Sequence, residues 1–122
     1  MAVTNTSLAD LSASFLFTDT DNAEVKVAVK ASSAVIYSID VDNTANAAIT
    51  YVKLWDVASG GVTVGTTAPS LIIPVPVSTR VPMIFPAGIT FATAVTVATV
   101  TAAGTAGTTG PTSDVIVRIV YV

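Results

Sequence analysis

The stretch EVKVAVKASSAVIYSIDVDNTANAAITYVKLW (residues 24–55) decides the fold class. Over residues 24–30, valines alternate with polar or small residues, as in a strand with one exposed face. Residues 34–42 and 48–55 repeat this two-residue period, with the turn-forming segment 43–46 between them. In the strand of residues 34–42 we expect four side chains to share one face: Val35, Tyr37, Ile39 and Val41. These three strands are expected to form an antiparallel meander.

The rest of the chain predicts further short strands separated by Gly- and Pro-containing turns. The apolar segments SLIIPVPV (70–77) and RVPMIFP (80–86) contain prolines. Because proline cannot donate a hydrogen bond to a sheet, we expect both segments to be edge strands or extended segments beside the sheet. A turn at residues 86–88 leads to a strand over residues 93–101 and then a loop over residues 102–113. The last segment, DVIVRIVYV (114–122), is apolar on nearly both faces, which predicts a central strand or one under a partner.

About seven or eight strands at intervals of roughly 8 to 12 residues are typical of an antiparallel sandwich or barrel. We predict an all-β protein with a jelly-roll-like β-sandwich, and a small closed β-barrel is the alternative. Residues 1–22 lack the regular alternation and are interpreted as an N-terminal arm. The sandwich domain is expected over residues 23–122.

The composition points to association with other molecules. The chain has 122 residues, of which 52% are hydrophobic and 11% are charged, with a mean hydropathy of +0.75. A typical soluble domain carries about 25% charged residues. So few charges leave apolar surface to be covered by partners, and a homo-oligomer is expected.

Several function classes lose support from residue types alone. Histidine and cysteine are absent, which removes thiol nucleophiles, disulfides, common zinc sites and the usual general base. We therefore expect no enzyme activity, no cofactor or metal, and no small-molecule substrate. Eight acidic residues against five scattered basic ones argue against nucleic acid.

A membrane partner is not expected either. The uncharged stretches 57–79 and 81–113 are long, but glycines and prolines interrupt both, so neither is a continuous apolar helix. The first residues also lack the basic start and apolar run of a signal peptide.

Two groups of acidic residues are candidate sites. Asp19, Asp21 and Glu24 offer alternate oxygens for calcium, but a polar turn with local hydrogen bonds is favoured because the spacing of an EF-hand loop is missing. Asp40 and Asp42 lie on one strand face, where a solvated pair is favoured over a catalytic pair.

Two apolar groups are candidates for contact with partners. Tyr51, Lys53 and Trp55 project together, and packing or subunit contact is favoured over a stacking platform for a sugar or base. The N-terminal apolar cluster either joins the core or docks on a neighbouring subunit. The candidate interface residues are Leu8, Leu11, Phe15, Leu16, Phe17, Tyr51 and Trp55.

Residues 51–91 also carry a family resemblance. Its elements are KLWD (53–56), VGTTAP (64–69), IPVP (73–76) and FPAGI (85–89). Together with the Thr/Ala/Val strand and Thr/Gly loop that follow, this stretch resembles small all-β virion proteins of tailed bacteriophages.

The resemblance implies a structural role as a capsid cement or decoration protein. Such a protein sits on the capsid surface of the virion after synthesis in the host cytoplasm, commonly as a homotrimer, and its partner is the major capsid protein. The alternatives are another phage head or tail structural protein, or a carbohydrate-binding β-sandwich that uses Tyr51 and Trp55.

Overall fold

A computed structural model describes residues 14–122 and contains eight β-strands. A short 3₁₀ turn (Ser59–Gly61) interrupts the loop after the fourth strand. The strands are β1 (Phe15–Asn22), β2 (Val27–Lys30), β3 (Ala34–Asp42), β4 (Thr50–Trp55), β5 (Leu71–Val75), β6 (Arg80–Phe91), β7 (Val95–Val100) and β8 (Val115–Tyr121).

The strands form two four-stranded sheets, both antiparallel throughout. The first sheet has the order β1-β8-β3-β6 and the second has the order β2-β7-β4-β5. Strand β1 pairs with β8, β2 with β7, β3 with β6 and β4 with β5, so the chain runs as one long hairpin rolled into two layers. This nested order is that of a jelly roll. The predicted β-sandwich is confirmed, and the sheets do not close into the alternative barrel.

The core lies between the two sheets and consists mainly of β-branched side chains. Ile39 of β3 and Ile119 of β8 face Val52 of β4 and Val97 of β7, and all four are fully buried. Strand β8 lies between β1 and β3, in the central position that its two apolar faces predicted. Strands β5 and β6 are edge strands, as their prolines predicted.

The predicted meander is wrong. Strand β3 belongs to the first sheet, whereas β2 and β4 belong to the second sheet with β7 between them. Residues 31–33 therefore cross from one sheet to the other. Alternation along a strand indicates which face is buried, but it does not indicate which strand is the neighbour.

The prediction that four alternate side chains of β3 share one face is also partly wrong. The register of β3 shifts between Ile36 and Ser38 against both β6 and β8, so Ile36 joins Ile39 and Val41 in the core. Val35, which the simple period placed on the same face as Ile39 and Val41, is half-buried on the other side.

A bulge in β6 matches this shift and replaces the predicted turn at residues 86–88. Ile36 pairs with Ile89 and Ser38 with Ile84, so residues 85–88 lie opposite a single residue of β3. Gly88 has a φ of +75°, and a Cβ there would lie 2.3 Å from a Val35 methyl carbon. The bulge thus requires glycine at this position.

The boundary of the predicted arm needs correction. Residues 15–22 pair with β8 as an edge strand of the first sheet, so the sandwich begins before residue 23. The remainder of the predicted arm, including Leu8 and Leu11, lies outside the described residues.

Candidate interaction surface

The central part of the outer face of the second sheet is covered by two loops of the same chain, residues 56–70 and 101–114, which we call the covering loops. Thr96, Ala98 and Val100 point outward from β7 and are nonetheless fully buried. The Thr96 hydroxyl donates to the Val57 carbonyl over 2.7 Å, and the Lys26 ammonium donates to the Val62 carbonyl. These contacts cover the outward side chains of β7 and of the adjoining part of β4, whereas Ile72 and Pro74 of the edge strand β5 stay exposed.

Trp55 is the largest side chain beneath the covering loops. It is 1% exposed, packs with Val62 and Ala98, and donates its indole N–H to the Thr67 carbonyl over 2.9 Å. This placement agrees with the packing interpretation. It does not agree with Trp55 as an exposed interface residue or as a stacking platform, because the chain's own loop covers the ring.

The neighbours of Trp55 on β4 differ in exposure. Tyr51 is half-buried, whereas Lys53 is 1% exposed and donates from its ammonium to the Gly104 carbonyl over 2.5 Å. Burial lowers the pKa of Lys53, because the charged form loses its hydration. Lys53 therefore fixes the second covering loop instead of projecting toward a ligand.

Asp56 anchors the start of the first covering loop to the β6–β7 turn. Its carboxylate accepts backbone N–H bonds from Ala92 at 2.9 Å, Thr93 at 2.7 Å and Ala94 at 3.2 Å. These donors, led by Thr93, lower the pKa of Asp56 below its ordinary value of 3.8. The ionised form of Asp56 is therefore favoured by folding.

Replacing Asp56 with asparagine should make the protein less stable at neutral pH and less sensitive to acid. Since folding lowers the pKa, the stabilisation by Asp56 is present above about pH 4 and is lost as the pH falls through the lower folded value. Thermal melts between neutral pH and pH 2 should show the melting temperature of wild type approaching that of Asp56→Asn as the pH falls. The control is Asp114→Asn, an exposed position before β8, whose melting temperature should follow that of wild type at every pH. A difference between Asp56→Asn and wild type that stays constant with pH would contradict the role of Asp56.

Two buried asparagines, Asn43 and Asn46, hold together the turns at one end of the sandwich. The Asn43 amide donates to the carbonyls of Ala48 and Pro76, each at 3.0 Å. The Asn46 amide donates to the Ser113 carbonyl at 3.0 Å and accepts the Ser113 N–H at 2.9 Å. The sequence predicted a turn here, but it carried no signal that these side chains join distant loops.

The outer face of the first sheet, which we call the open face, differs from that of the second sheet. A row of four residues in register crosses its four strands, and three of them are apolar: Leu16, Val120 and Ile84. Ser38 lies between Val120 and Ile84, and we call the three apolar residues the apolar row. Leu16 is 64% exposed and Ile84 is 77% exposed, at the two ends of the row, and Val120 is half-buried. Large apolar side chains with this exposure mark a surface suited to contact with another molecule.

A charged cluster lies beside the apolar row. Arg80 binds Asp40 through two nitrogens, with Nε 2.9 Å from Oδ1 and Nη2 2.7 Å from Oδ2, and Arg118 lies 3.5 Å from the same carboxylate. The hydrogen bond from Arg80 lowers the pKa of Asp40. The open face therefore combines an apolar row with a fixed pattern of charge.

The acidic pairs of the sequence have local partners. Asp42 shares the outward face with Asp40, as predicted, and accepts hydrogen bonds from the N–H and hydroxyl of Thr44. Asp19 accepts hydrogen bonds from the Asp21 N–H and from the Asn22 amide, so the predicted local hydrogen bonds are present. The predicted turn is wrong, because these residues belong to strand β1, where the register with β8 becomes irregular. Among the described residues, no three acidic side chains converge as a cation site.

The apolar residues of β1 fall on both sides of the first sheet. Phe17 packs against the core, and Leu16 lies on the open face. Phe15 is 59% exposed, and its ring stacks on the Tyr121 ring with 5.6 Å between the ring centroids. Of the predicted interface residues within the described chain, Phe15 and Leu16 are thus the most accessible. Both lie at the start of an edge strand.

Comparisons with known proteins identify no relative. No family model matches the chain, and no curated protein or solved structure matches it. Within residues 14–122, no helix has the length and apolar character needed to cross a membrane.

Proposed function

We propose that this chain is a structural virion protein, a capsid cement or decoration protein that binds the outer shell of a phage capsid and joins neighbouring major capsid subunits. The observation that carries the proposal is the difference between the two sheets. The chain's own loops cover the central strands of one outer face, whereas the other outer face carries Leu16 and Ile84, which are 64% and 77% exposed. A protein that acts through a surface needs no active site.

The apolar row supplies the attraction in this proposal. Covering Leu16, Val120 and Ile84 removes apolar surface from water, at about 25 cal/mol per Å² before the costs of association. The row belongs to a hydrogen-bonded sheet and is already ordered, so binding orders few groups. Each copy bound to two coat subunits would then oppose their separation.

The charged cluster supplies orientation in this proposal. Asp40 is fixed by Arg80 and Arg118, so its position relative to the apolar row is defined. Exposed ion pairs contribute little to stability, typically about 0–1 kcal/mol, but charge patterns select partners and register. We propose that this cluster sets the direction in which the protein sits on the shell.

The sparse charge of the chain and its resemblance to phage virion proteins also support the proposal. Only 11% of the residues are charged. The proposed partners are the major capsid protein and further copies of this chain, and the proposed location is the capsid surface.

The test is co-sedimentation with empty shells assembled from the coat protein encoded in the same genome. Wild-type protein should pellet with the shells and saturate at a fixed ratio to coat subunits. Ile84→Lys should reduce shell affinity by more than about tenfold, because it places a charge within the apolar row.

The control for this test is Ile72→Lys, an exposed isoleucine on β5 at the edge of the second sheet. It should bind shells as wild type does. Absence of wild-type binding, or equal loss in both variants, would contradict the proposed role of the open face.

A further inference from the structure

The four edge strands differ in how they are protected against pairing with another chain. Strand β2 has four residues and ends at Lys30, β5 contains Pro74, and β6 contains Pro82 and Pro86. Short length, lysine and proline all discourage edge-to-edge pairing. Strand β1, FLFTDTDN, has neither proline nor lysine in its eight residues.

The unprotected part of β1 is its first half. Phe15 and Leu16 are 59% and 64% exposed, whereas Asp19 and Asp21 place negative charge on the second half. A second strand added at this edge would cover both apolar side chains. It would also pair backbone groups that β8, on the other side of β1, does not reach.

From this edge we infer that two copies of the chain pair through β1, antiparallel and about a two-fold axis, to form one continuous eight-stranded sheet. In such a pair, directly opposed residues lie on the same side of the sheet. Side chains alternate along a strand, so an odd-numbered residue lies opposite an odd-numbered residue of the partner and an even-numbered residue lies opposite an even-numbered one. The register is therefore centred on a single residue.

We place Leu16 at the centre of the register, because the first half of β1 is apolar and its second half carries Asp19 and Asp21. In this register Leu16 lies opposite the partner's Leu16, and Phe15 lies opposite the partner's Phe17. The apolar row of the open face then continues directly into the apolar row of the second copy. A register centred on Asp19 would instead place two like charges in opposition, which destabilises a cross-strand pair.

This contact differs from the one proposed for the shell. It uses the β1 edge and makes a dimer, whereas the resemblance implied a trimer. It also doubles the length of the open face, so that one dimer presents two copies of the same apolar row. The self-association stands whether or not the open face binds capsids.

The first experiment is sedimentation velocity of the full chain over a range of concentrations. Wild type should convert from monomer to dimer as concentration rises. Leu16→Lys should raise the dimer dissociation constant by more than about tenfold, because two lysines would meet at the centre of the contact. Circular dichroism should show that this exposed substitution leaves the fold intact.

The matched control is Ile84→Lys, which changes an exposed apolar residue at the opposite edge of the same sheet. It should dimerise as wild type does, even though this variant is expected to bind shells more weakly than wild type. A wild-type monomer at all concentrations, a trimer, or equal dissociation of both variants would overturn the β1 contact.

Hydrogen exchange on the same samples tests which atoms are covered. Amides in residues 15–18 should exchange more slowly in the dimer and lose that protection on dilution. Protection that persists in the dilute monomer would mean that the chain covers its own edge, and would overturn the inference.

Discussion

Replacing Trp55 with alanine should lower the free energy of unfolding by about 3–5 kcal/mol, the range typical of a buried aromatic residue truncated to a methyl group. The ring is 1% exposed and packs with Val62 and Ala98, so its removal leaves a cavity under the first covering loop. The Thr67 carbonyl would also lose its indole donor. Chemical denaturation monitored by circular dichroism measures the change.

Trp55→Phe is the matched variant for this position. It keeps most of the packing but removes the N–H donor to Thr67, so the expected cost is smaller, about 1–2 kcal/mol. A Trp55→Ala protein with wild-type stability that loses binding to a glycan would contradict the buried role. That result would support the carbohydrate-binding alternative instead.

Replacing Ile36 with alanine should cost about 2–5 kcal/mol, because Ile36 is fully buried between the sheets. Val35→Ala is the control on the adjacent residue, and it should cost about 1 kcal/mol or less because Val35 is half-buried on the other side of the strand. Urea denaturation of the two variants compares the faces directly. A larger effect at Val35 than at Ile36 would mean that the β3 bulge is absent.

This pair of residues shows where sequence periodicity fails. The bounds of β3 were predicted correctly as residues 34–42, because alternation and the following turn are local signals. The bulge near Tyr37 is not local, since it depends on the register shifts against β6 and β8. A single extra residue then exchanges the inward and outward faces for the first part of the strand.

The sequence predicted whether a strand lies at the edge or in the centre of a sheet better than it predicted which strands pair with each other. The prolines of β5 and β6 exclude central positions, and the two apolar faces of β8 require cover on both sides. The neighbours themselves are joined by pairings between distant segments, such as β1 with β8. No short-range pattern contains that information.

The candidate surface was predicted only in part. The exposed Phe15 and Leu16 were among the predicted interface residues, whereas Ile84 was not, because an apolar residue in a proline-containing strand could face either way. Trp55 was also predicted as an interface residue, but the first covering loop, which contains Val57 and Val62, folds over its ring. Apolar residues within that loop were the available signal that it packs on the sheet.

We propose that the open face of the first sheet acts by contact with a capsid shell. An electron cryomicroscopy reconstruction of coat-protein shells incubated with the purified chain tests this claim most directly. The reconstruction should show added density with the apolar row from Leu16 to Ile84 against the coat subunits and the covering loops turned toward solvent. Bare shells, or added density that contacts the shell through the covering loops, would contradict it.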